Sequence, residues 1–265
     1  MKKLTFTLFL LSCLSAFSQG YKIEWVEPVD EITDQKARVW LDSLVGASFR
    51  VNGTYPDTLT FFLTQSHSIE DGCGWAYVKF PKKICGVYMD VNVHAPLDTI
   101  LSNWEPPHEI SHLALPFFGA EYRWLSEGFA TYMSRQVMKG LGLYDDVTIK
   151  EFYHDSFRDV GGHFDRNEPF EYVAREKVVT HQYAAFYRGG AMYFYVCNYF
   201  ILERKGMFLS EVVKKYQSTN KKTDKGFDEI IDSFDEIIGE PIMRKVLYNF
   251  KITPAKVIFD FVMTH

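Results

Sequence analysis

Two prolines stand immediately before a His-Glu-x-x-His run, Pro106-Pro107-His108-Glu109-Ile110-Ser111-His112, and no other stretch limits the chain so tightly. Inside a helix each proline would remove a hydrogen bond and clash with the preceding turn. In the first turn both are tolerated, because those N–H groups have no helical acceptor anyway. The run therefore predicts a helix starting near Glu105 and ended by Pro116 and Gly119, about three turns at 3.6 residues per turn. On such a helix residues i and i+4 share one face. His108 and His112 can thus aim their imidazoles at one point, at the roughly 2.0–2.1 Å that zinc prefers from nitrogen. Glu109, one step around the helix, is badly placed as a third ligand and well placed as a general base toward a metal-bound water.

A catalytic zinc needs three protein ligands and one open position. Two histidines leave one ligand missing, and Glu127 in Trp124-Leu125-Ser126-Glu127-Gly128-Phe129-Ala130-Thr131-Tyr132 is the candidate. It lies in a second helix-periodic run over residues 123–140, so two helices joined by residues 116–121 could face each other across the ion. The bland alternative, a solvated helix carrying two His and a Glu by accident, is weakened by this second motif.

Together, H-E-x-x-H and W-L-S-E-G-F-A-T-Y resemble the gluzincin metallopeptidases, in particular the aminopeptidase-N-like group, over roughly residues 86–200. The resemblance implies that His108, His112 and Glu127 bind zinc and that Glu109 is the base. It also implies that Tyr187, in Tyr187-Arg188-Gly189-Gly190-Ala191, stabilises the oxyanion. It further implies an edge strand just before the zinc helix that pairs with extended substrate, which would be residues 86–93. The chain departs from the aminopeptidases in two ways: only 14 residues separate His112 from Glu127, and there is no G-A-M-E-N segment. Aminopeptidase and endopeptidase activity therefore both stay open.

The composition is that of an ordinary globular protein: 265 residues, 47% hydrophobic and 24% charged, enough for one domain with two lobes. A net charge of -5, with no basic tail, argues against nucleic acid as a partner. Residues 1–18 read as a secretory signal, with Lys2 and Lys3 before a short apolar run and small residues near Ser18. A lipobox-like reading around Cys13 would leave an unusually short signal, so soluble export, periplasmic or extracellular, is the expectation. No later stretch has the 18 or so apolar residues of a membrane span. Export permits a disulfide, and Cys73 and Cys85 could face each other across a hairpin or remain buried thiols. Cys197, in an aromatic run, reads as core.

Residues 19–95 read as a strand-rich lobe: a helix over 32–44, then strands over 47–51, 58–64, 75–80 and 86–93. Residues 141–180 are polar and mixed, a segment that could cap the cleft with Gly161-Gly162 as a hinge, while His154 and His163 read as solvated and His181, near Tyr187, stays open. An aromatic helix follows over 184–204, then helices over 207–216, 227–238, 241–250 and 254–264. Lys221, Lys222 and Lys225 mark a charged connector.

The expectation is thus an α+β, thermolysin-like zincin, with a mixed sheet lobe (19–95) followed by a zinc-binding helical lobe (96–265). Its expected function is zinc-dependent hydrolysis of peptides or proteins. The alternative is a non-catalytic exported binding protein on the same scaffold, and the intact Glu109 argues against it, since a structural metal site needs no base.

Overall fold

The computed structural model describes residues 20–55, 58–79, 86–219 and 226–265. The signal segment with Cys13, the Lys221–Lys225 connector and Cys85, hence the Cys73–Cys85 pairing, lie outside the described residues. Among the described residues no helix is long and apolar enough to cross a membrane.

The first part of the chain builds a sheet on one long helix. Strand β1 (Lys22–Trp25) leads to α1 (Glu31–Asn52), followed by β2 (Thr60–Gln65), β3 (Cys73–Lys79) and β4 (Gly86–Val91). The sheet is mixed, in the order β1-β2-β4-β3, with β3 antiparallel to β4 and the other neighbours parallel. Asp30 caps α1, its carboxylate accepting from the Thr33 N–H at 2.7 Å.

Here the expected strand over 47–51 is corrected: α1 runs through it to Asn52. The β-type residues there are outweighed by a buried set at helical spacing, Ala37, Trp40, Leu41, Leu44, Val45, Ala47 and Ser48, which packs beneath Phe61, Leu63, Val87 and Met89 of the sheet. A second correction concerns the edge. The strand over 86–91 lies inside the sheet between β2 and β3, and the edges among the described residues are β1 and β3. A hairpin partner that precedes β4 in the chain covers it, so nearness in sequence to the next helix did not place β4 at the rim.

The rest of the chain is helical: α2 (Leu97–Ser102), α3 (Glu105–His112), α4 (Arg123–Gly140), α5 (Asp146–Arg158), α6 (Gly161–Phe164), α7 (Phe170–Val179), α8 (Tyr183–Lys205), α9 (Leu209–Thr219), α10 (Phe227–Ile238), α11 (Ile242–Ile252) and α12 (Ala255–Thr264). The 141–180 region is thus mainly three helices, and Gly161-Gly162 opens α6 instead of forming a free loop. Its buried Ile149, Tyr153, Phe157, Phe164, Phe170 and Val173 join the larger of two cores, whose aromatic centre is Trp124, Tyr193, Phe194 and Phe250. The smaller core lies between the sheet and α1, and Ile110, Leu113 and Val137 carry α3 and α4 onto it. The pair α3–α4 therefore sits at the seam between the two cores.

Candidate metal centre

Helix α3 starts where the prolines require. Glu105, Pro106 and Pro107 form its first turn, and the His108 N–H makes the first helical bond, to the Trp104 carbonyl at 3.1 Å. Two histidines one turn apart thus emerge directly from a proline-stiffened start. The helix is shorter than expected, ending at His112 with a tight turn through Leu113 and Ala114. Ser111 points to the other side, donating to the Pro107 carbonyl at 2.7 Å.

Helix α4 supplies the third group. His108 Nε2 and Glu127 Oε2 are 3.3 Å apart, His112 Nε2 and Glu127 Oε2 3.2 Å, and the two Nε2 atoms 3.2 Å. Around a tetrahedral zinc with bonds of 2.0–2.1 Å, neighbouring donor atoms stand about 3.3–3.4 Å apart. The three atoms thus have the spacing a single cation imposes, and two imidazole nitrogens with a carboxylate oxygen are donors that zinc accepts. His108 is buried, while His112 and Glu127 keep 12% and 16% of their side-chain surface, so the group opens to solvent on one side.

Electrostatics favour a cation. Burial pulls the His108 imidazole down to about 4, despite Glu127, which leaves it neutral as a ligand must be. Burial also works against a charge on His112, but the hydrogen bond and charge of Glu127, with the charge of Glu109, win and raise it. Burial opposes ionisation of Glu127 too, yet its two histidine partners hold the carboxyl well below the usual range.

Glu109 faces the same space. Burial, reinforced by the nearby Glu127 and Glu105 carboxylates, pushes it up to about 7, against the opposing pull of His112 and of a hydrogen bond from the Val78 N–H on β3. Tyr187, on α8, stacks on the His108 ring with centroids 5.5 Å apart, and its hydroxyl bonds to Glu127. Burial and the Glu127 and Glu109 charges raise the phenol, so it keeps its proton. All five expected residues therefore come together: His108, Glu109, His112, Glu127 and Tyr187.

What brings α8 so close is a pair of glycines. A Cβ on Gly190 would lie 1.9 Å from the Trp124 carbonyl oxygen, and one on Gly128 would lie 2.1 Å from the Gly190 carbonyl carbon. Only bare backbones allow this crossing, and the two glycines neighbour Glu127 and Tyr187 in sequence. Three other participants escaped the sequence reading. Thr131, one turn after Glu127, places Oγ1 3.5 Å from His108 Nδ1, a position that i+4 spacing could have revealed. Trp104 meets the His108 ring edge-on at 5.3 Å. The Val78 N–H is a backbone group with no sequence signal. Of the lone histidines, His154 pairs with the Tyr195 hydroxyl at 3.1 Å and His163 is exposed; neither joins the group.

No family model matches the chain, and no curated protein matches it. Among solved structures, its fold is similar to that of an aminopeptidase N family protein from Idiomarina loihiensis, with a TM-score of 0.53 and 13% identity. The likeness covers 82% of this chain but 42% of the other, so this chain spans less than half of that protein. The likeness is one of fold: a mixed α/β chain with a four-stranded sheet and a large helical part, similar to a peptidase-family structure.

Proposed function

We propose that this protein is a zinc-dependent peptidase of the gluzincin type, with a thermolysin-like arrangement of sheet and helices, exported from the cell. The observation that carries this reading is the mutual 3.2–3.3 Å spacing of His108 Nε2, His112 Nε2 and Glu127 Oε2, with Glu109 beside them. His108, His112 and Glu127 would hold the zinc. When bound, zinc supplies Lewis acidity and lowers the pKa of a water in its open position. Glu109 takes the water's proton and later delivers it to the leaving amine. Its burial suits this work, since a carboxyl tuned upward both accepts and returns a proton near neutral pH. The Val78 N–H orients the carboxylate. The Tyr187 hydroxyl, kept protonated, donates to the oxygen that becomes negative as the peptide carbonyl turns tetrahedral.

The test pairs metal content with cleavage. Glu109→Gln should bind one zinc per chain by elemental analysis, yet lose at least about a thousandfold in kcat on a peptide library, within the range of removing a general base. Turnover near the wild-type rate would remove Glu109 from the mechanism. Zinc bound without cleavage by the unmodified protein would favour a binding scaffold.

A further inference from the structure

Helix α4 carries a second, half-buried ionic group beyond the ligand set. Glu127, Thr131 and Arg135 follow one another at i, i+4 and i+8, so Arg135 shares the face that meets α3. Its guanidinium lies 4.0 Å over the Phe152 ring and 5.8 Å from the Trp104 ring, and Trp104 touches His108 edge-on at 5.3 Å. Nε is fully buried without a hydrogen-bond partner. The acceptors it does have are weak or neutral, the Met138 sulfur at 3.2 Å and the Tyr144 hydroxyl. No ion pair with a carboxylate forms at Arg135 among the described residues, although nearly every other arginine on α4–α8 has one.

An arginine cannot shed its proton to escape this, so a desolvated guanidinium without an anion is costly. Stacking on Phe152 and Trp104 offsets part of that cost, but a ring face offers no acceptor to the N–H fork. The surroundings add positive field: Arg188, next to Tyr187 on α8, repels Arg135, and its own carboxylate, Asp159, is exposed and 3.5 Å away. Arg135 is half-buried with Nε enclosed, so a ligand would meet it through the outer nitrogens of the fork.

We propose that Arg135, with Arg188 nearer to solvent, forms a subsite for a carboxylate of the substrate on the Trp104 side of the metal group. This rests on the peptidase reading for its substrate class. The carboxylate is either the free C-terminus of a short peptide or an Asp or Glu side chain. It takes the guanidinium fork in the two-point manner that arginine offers to carboxylates. Arg135 is then a specificity residue, with no part in proton transfer.

Binding tests this separately from cleavage. Acetyl-Ala-Ala-Ala and its C-terminal amide are titrated calorimetrically into the zinc-loaded Glu109→Gln protein. A second pair, acetyl-Ala-Glu-Ala-amide against acetyl-Ala-Gln-Ala-amide, separates the two sources of carboxylate. The acid of at least one pair should bind about tenfold tighter or more, about 1.4 kcal/mol. Arg135→Met and Arg135→Lys should each shrink that ratio, the first to about one, with amide affinity held within about twofold. Equal affinity for acid and neutral partner in both pairs overturns the subsite even if no variant folds, as does a ratio that survives in Arg135→Met. A clear ratio in a protein that cleaves no peptide would leave the subsite standing and sink the peptidase reading; cleavage without a ratio would do the reverse.

Discussion

The sheet lobe and the helical lobe contribute to the site in different currencies. The helical lobe supplies every proposed ligand and the tyrosine, fixed by contacts between backbones: Gly128 against Gly190, with Trp124 behind them. The sheet lobe supplies one backbone N–H, from Val78 on the edge strand, and its own aromatic face stacks within the sheet. On that face Phe62, Tyr88 and Tyr77 stack in sequence, and Trp75, 60% exposed, ends the row. A metal centre needs donor atoms held to tenths of an ångström, which packed helices provide. A cleft wall needs only shape and a free edge, which a strand provides.

One substitution made in both lobes gives the largest expected contrast. In Gly190→Ala the new methyl meets backbone that cannot turn aside, so unfolding in urea should show a loss on the order of 3 kcal/mol. Zinc affinity should fall with it as Tyr187 and Glu127 are pushed apart. In Gly86→Ala the methyl meets chiefly the Phe62 ring, which can slide, so the loss should be about 1 kcal/mol with zinc affinity unchanged. Equal losses would mean that the helix crossing is no more rigid than the sheet face.

The sheet lobe's single contribution is removable. Val78→Pro deletes the N–H that holds Glu109, at an edge strand where proline is tolerated. Cleavage should slow by about tenfold, the worth of one hydrogen bond to a charged group, with zinc content intact. An unchanged rate would reduce β3 to a wall.

The smallest effect is one the lobes should share. Asp30 caps α1 and Asp145 caps α5, each accepting from a backbone N–H and each held below the usual carboxylate range by that bond. A depressed folded pKa stabilises above the unfolded value, near 3.9, and the contribution is lost as pH falls through the folded one. The stability gap between wild type and Asp30→Ala, or Asp145→Ala, should therefore be full at pH 7 and close toward pH 2 in chemical denaturation. A gap that persists at pH 2 in either lobe would show that the cap acts through something other than its charge.

The two lobes also differed in how much could be read from sequence. The helices over 123–140, 184–204 and 227–238 were legible because long apolar repeats at helical spacing have few other uses. In the sheet lobe, residues 47–51 were mistaken for a strand and Lys22–Trp25 was missed, since a few β-type residues weigh little against a neighbouring helix that can absorb them. Strand order was not legible at all. Which of β3 and β4 lies at the edge depends on pairing, and pairing is decided by tertiary packing.

By itself the sequence determined the start of α3, the one face shared by His108 and His112, and the candidacy of Glu109, Glu127 and Tyr187. The first two follow from local rules, since proline has no N–H and residues four apart in a helix are neighbours; Glu127 answered the need for a third ligand, and Tyr187 was named only by the resemblance to the gluzincins. Only the tertiary structure decided that Glu127 arrives 3.2–3.3 Å from both imidazoles, that a Gly128–Gly190 crossing brings Tyr187 onto His108, and that the Arg135 Nε is enclosed without a partner. Distances between separate elements depend on how the two cores pack at their seam, and no local rule encodes that.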